Sequence, residues 1–85
     1  MKLKAVKQIK DLVNELNKIR DERKRLPLAV DAQKFRAFEW SVDICIPTDG
    51  VLYSRECSAL FPLLTQLECT FFIGTKRGGC TIFIQ

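Results

Sequence analysis

Eighty-five residues supply one domain with one hydrophobic core, and 47% apolar content with six Phe sets the chain apart from disordered sequences. No apolar run approaches the roughly 18 residues that suggest a membrane span, and the Lys-rich N-terminus lacks the apolar core of a secretory signal, so a cytoplasmic, reducing setting is expected. The net charge of +4 is uneven: eleven Lys/Arg face five acids over 1–36, whereas three face five over 37–85.

The first 26 residues carry the clearest pattern. Ala5, Ile9, Leu12, Leu16, Ile19 and Leu26 recur at steps of four and three, with Arg23 in the one intervening seat. That is the a/d seam of a heptad repeat, and it predicts a long amphipathic helix ended by Pro27. Two readings compete for this face. As a coiled coil, the seam pairs with a second copy, with Glu15 and Arg20 at the g and e positions that meet across the dimer. As a core helix, Val6 and Val13 at e widen the stripe toward the chain's own sheet. We expect one flank to serve the sheet and the other a partner. The basic cluster Arg20, Arg23, Lys24 and Arg25 closes this stretch, with Asp21 and Glu22 set among it.

Residues 27–34 read as a connector with at most a helical turn, and 35–85 as a β-β-α-β-β core. Phe38, Trp40, Val42, Ile44 and Ile46 alternate with Glu39, Ser41, Asp43 and Cys45, the period of a half-buried strand. Pro47-Thr48-Asp49-Gly50 has turn chemistry and is expected to fold this strand back onto Val51–Tyr53 as a hairpin. Ser54 offers an N-cap for a second helix to about Glu68, with an irregularity before Pro62. Cys69–Ile73 is echoed by Cys80–Ile84, and the glycine-rich 74–79 segment between them predicts a second hairpin. In that hairpin Phe71 and Ile73 share a face with Ile82 and Ile84, while Phe72 and Phe83 share the other. Both faces are apolar and need cover. The expected fold is therefore α+β, ordered α-β-β-α-β-β, with a long N-terminal helix and an antiparallel sheet of about four strands.

The inventory for chemistry is thin. There is no His, which removes Cys-His and Ser-His-Asp catalysis and His-containing zinc sites. Cys45, Cys57, Cys69 and Cys80 lack the close C-x₂₋₄-C spacing of structural zinc. Cys69 and Cys80 alternate with Phe and Ile as small hydrophobes do. Glu39, Asp43, Asp49 and Glu56 form no paired-carboxylate signature, and Trp40 and Tyr53 belong with the core. The Gly74–Gly79 segment has glycines and cations but no phosphate-loop spacing, so a solvated hairpin tip is favoured. No cofactor or metal is expected.

These readings converge on a non-enzymatic, self-associating protein-protein interaction module, a homodimer by default. Its expected contacts are Ile9, Leu12, Leu16 and Ile19 on the helix, with Phe72 and Phe83 on the sheet. The alternative is a nucleic-acid binder using Arg20, Arg23, Lys24 and Arg25 with the Lys76–Arg77 tip, since phosphate contacts are made by such cations.

Overall fold

In a computed structural model, residues 1–48, 50–76 and 79–85 are described. The elements are α1 (Leu3–Glu22), β1 (Ala29–Arg36), β2 (Glu39–Cys45), α2 (Ser54–Gln66), β3 (Phe71–Lys76) and β4 (Gly79–Ile84). The strands form one antiparallel sheet in the order β1-β2-β4-β3. The α-β-β-α-β-β arrangement expected from the sequence is thus the one observed, although its first hairpin is built from different segments.

Helix α1 buries Val6, Ile9, Val13, Leu16 and Arg20. This stripe has the 3-4 spacing of the expected seam but is rotated toward the Val6/Val13 flank. Ile9 and Leu16 belong to both stripes, and Leu12 and Ile19 are only half-buried at its margin. The helix stops at Glu22, short of Pro27. Lys24 turns left-handed at φ 56°, and the Lys24 and Arg25 amides donate back to the Asp21 and Arg20 carbonyls at 3.0 and 2.8 Å. This is a Schellman closure made without glycine. Helix α2 ends the same way, with Glu68 at φ 56° and the Glu68 and Cys69 amides on the Thr65 and Leu64 carbonyls.

The expected connector 27–34 is largely strand β1. Its core-facing positions Val30 and Ala32 pair with Ile44 and Val42, but Ala, Gln and Lys are weak strand formers, so the local pattern is faint. Asn17 on α1 directs the chain into this strand: its side chain donates to the Leu28 carbonyl at 2.9 Å and accepts the Leu28 amide at 2.8 Å. The hairpin turn is Ala37-Phe38, between the paired residues Arg36 and Glu39, with Phe38 at φ 72° and 82% exposed. Val51–Tyr53 is consequently not a strand. It belongs to the loop that leads β2 into α2, where the Gly50 amide closes a turn on the Pro47 carbonyl at 2.7 Å. The turn residue Asp49, with Arg77 and Gly78 of the β3–β4 tip, lies outside the described residues.

Tyr53, not Ser54, occupies the N-cap position of α2, and the helix runs unbroken through Pro62. Pro62 and Ser58 are both exposed, so the Ser58 carbonyl that a proline cannot bond is left facing water rather than core. Both helices pack on the sheet face that carries Val42, Ile44, Ile82 and Ile84. Ile9, Ile44, Leu60, Leu64, Ile82 and Ile84 are 0% exposed, each contributing on the order of 1.5–3 kcal/mol by burial.

Candidate interaction surface

Among the described residues β3 pairs with β4 alone, so its outer side is a free edge. Phe71, Phe72 and Ile73 are 38, 58 and 60% exposed in succession along it. Alternation divides them between the two faces: Phe71 and Ile73 oppose Ile84 and Ile82 on the helix side, and Phe72 opposes Phe83 on the other. Phe71 stacks on Phe61 of α2 at 5.1 Å, whereas Ile73 stays open at 60% exposure. On the opposite face, Phe72 stacks on Phe83 at 4.9 Å. Gly74 makes room for that stack, since a Cβ there would lie 3.1 Å from the Phe83 ring. Phe83 is thereby half-buried and Phe72 forms the exposed crest.

The same open face holds a polar strap. Asp31 and Asp43 stand directly opposite each other on β1 and β2, a destabilising like-charge pair on its own. Lys76 crosses β4 to place its ammonium 2.8 Å from Asp43 and 3.7 Å from Asp31. The hydrogen bond to Asp43 raises the Lys76 pKa above its ordinary 10.5, against a smaller opposing effect of desolvation.

The structure treats the helix half of the expected interface differently. Ile9 is 0% and Leu16 is 5% exposed, so both are already sealed against the chain's own sheet and are not open to a second helix. Leu12 packs on the same core, and Ile19 lines a small notch beside α2. Glu15 pairs with Lys18 one turn along α1 at 3.0 Å, a surface pair of little consequence for stability. Of the six expected contact residues, Phe72 is the one that stands well clear of the core.

The expected basic set is divided as well. Arg20 is 2% exposed and held to Glu56, itself 4% exposed, through Nε–Oε2 at 2.5 Å and Nη2–Oε1 at 2.8 Å. Two further N–H groups donate to the Leu26 and Val51 carbonyls, both at 2.7 Å. Glu56 also accepts the Tyr53 amide at 2.8 Å and so caps α2. One buried pair therefore joins the end of α1, the chain leaving it, the loop after β2 and the start of α2. Four of the five guanidinium N–H groups are thus engaged within the chain, and burial keeps the group from a phosphate backbone. Heptad spacing could not reveal this, because the partner Glu56 lies 36 residues away. Arg23, Lys24 and Arg25 remain exposed. Lys76 lies at the same end of the sheet but is engaged by Asp43 and Asp31.

The thiols are free, burial raises the Cys69 pKa, and no cluster of His, Cys, Asp or Glu among the described residues could hold a metal ion. No helix of the described chain is long and apolar enough to cross a membrane. No protein family, curated protein or solved structure matches this chain, so its own geometry is what any functional reading must rest on.

Proposed function

We propose that the protein is a non-enzymatic self-associating module whose β3 edge adds to the β3 edge of a second copy. The observation that carries this reading is the run Phe71-Phe72-Ile73, exposed on a free strand edge whose unpaired backbone groups can template another strand. A second copy fits because the strand is self-complementary. About a two-fold axis through Phe72, antiparallel pairing sets Phe72 against itself and Phe71 against Ile73 of the copy. The sheet then continues to eight strands with the helices of both copies on one side. Lys76, the one charge of β3, falls beyond the apolar run at each end, so like charges do not meet in the centre. The helix seam has no part in this assembly, since Ile9 and Leu16 are spent within the subunit.

Light scattering on the purified chain at tens of micromolar tests the proposal. A mass of twice the 9.8 kDa chain is expected. A monomer at that concentration removes the reading.

A further inference from the structure

The end of α1 and the start of α2 enclose a notch of about 30 Å³ lined by Ile19, Arg20, Arg23, Arg25, Tyr53, Arg55 and Glu56. Its charge is unbalanced. Among the described residues the one carboxylate in the wall is Glu56, bound by Arg20 on both oxygens, and Arg23, Arg25 and Arg55 have no carboxylate partner. Asp21 and Glu22, adjacent in sequence, do not line the notch. Arg25 stacks over the Tyr53 ring at 4.3 Å and Arg20 at 5.5 Å, so the ring acts as a shelf that positions guanidinium groups. The Tyr53 hydroxyl is buried and has no hydrogen-bond partner among the described residues, a rare condition for a buried polar group. The notch also lies at the N-terminus of a 13-residue helix, whose dipole favours negative charge there.

We propose that this notch is a binding site for a phosphate-type oxyanion, held by Arg23, Arg25 and Arg55. Three arginines lining a space of this size can turn their guanidinium groups onto one compact, multiply charged group with several acceptor oxygens. Inorganic phosphate and a terminal phosphate monoester share that chemistry. A phosphodiester chain is the poorer fit, because it presents single charges along a line and needs a groove. None of the lining residues belongs to β3, so the site does not depend on the assembly proposed above.

The test is calorimetric titration of the full chain with inorganic phosphate against chloride at equal ionic strength. A parallel arm uses a short single-stranded oligonucleotide without terminal phosphate. Saturable uptake of one phosphate per chain is expected. Arg55→Gln and Arg23→Gln should each weaken it at least about tenfold, the order of one lost charge-assisted pair. Lys7→Gln, on an exposed part of α1 outside the notch, should bind as the parent does. Phosphate uptake no greater than that of chloride overturns the proposal, as does unchanged affinity in Arg55→Gln. Uptake of the oligonucleotide without uptake of phosphate also overturns it, in favour of a nucleic-acid surface.

Discussion

The two edges of the sheet are built differently. β1 carries Asp31, Lys34 and Arg36 among its eight residues, and its register with β2 shifts between Lys34 and Arg36. Charges and irregularities of this kind are what keep a strand edge from pairing with another chain. β3 has neither device along its apolar half: its register with β4 is unbroken from Phe71 to Lys76, and its one charge is at the end. Phe35 on β1 is 53% exposed, nearly as much as Phe72 on β3. Exposure of a large side chain therefore does not distinguish the edges. What separates them is whether the backbone beside it is free and regular, and on that ground β3 is the edge that a copy can extend.

The largest effect would strike both edges together. Glu56→Ala leaves the Arg20 guanidinium buried without its carboxylate, and a loss of about 3–5 kcal/mol is expected in denaturant melts. Each edge should then lose amide-exchange protection along with the core, because the pair ties both helix ends beneath the sheet.

A second measurement sharpens the contrast itself. Ile73→Lys should weaken the dimer by about a hundredfold or more, since it sets an unpaired charge within the proposed seam. Scattering at tens of micromolar would then give a monomer with an unchanged far-ultraviolet spectrum. Phe35→Lys on the guarded edge should leave the mass as it was. Equal responses at the two positions would break the comparison.

Smaller effects test the devices on each side. Phe38→Gly, at the tip of the guarded hairpin, relieves a left-handed φ of 72° in a residue that packs little, and a gain of about 1 kcal/mol is expected without a change in mass. The smallest concerns Lys76, which reaches from β3 to acids on both β2 and β1. Its folded pKa is raised, so its stabilising effect is fully present below the ordinary 10.5 and disappears as pH rises through the folded value. The difference in melting temperature between the parent and Lys76→Met should accordingly be constant near neutral pH and close only above about pH 10.5.

Much of the fold was legible because its signals are local. The alternation from Phe38 to Ile46 marked the central strand, although Phe38 itself lies in the turn before it, and the echo of Cys69–Ile73 in Cys80–Ile84 gave the second hairpin with its faces correctly divided. Strand β1 was missed because Ala29, Ala32, Gln33 and Lys34 have little strand preference. They pair because β2 is beside them and Asn17 delivers the chain at Leu28. The end of α1 was placed four residues too late for a related reason, while α2 ends within two residues of the expected Glu68. Lys24 and Glu68 take a conformation that glycine usually announces, and neither residue type gives warning. At the site, the apolar crest at Phe72 could be read from the hairpin pattern, while Arg20 misled: a cation in a basic run reads as solvated until a distant carboxylate is found beside it.

By itself the sequence determined both helices, the central strand and the second hairpin, and the order α-β-β-α-β-β although its first strand was sought in the wrong segment, since side-chain periods of about 3.6 and 2 are read within short windows. Only the tertiary structure decided which flank of α1 meets the sheet, that Arg20 and Glu56 close on each other, and that β3 is left at an edge while β4 is enclosed. Those outcomes depend on contacts between residues far apart in the chain. A periodic pattern states which side of an element is apolar, but it carries no information about what arrives to cover it.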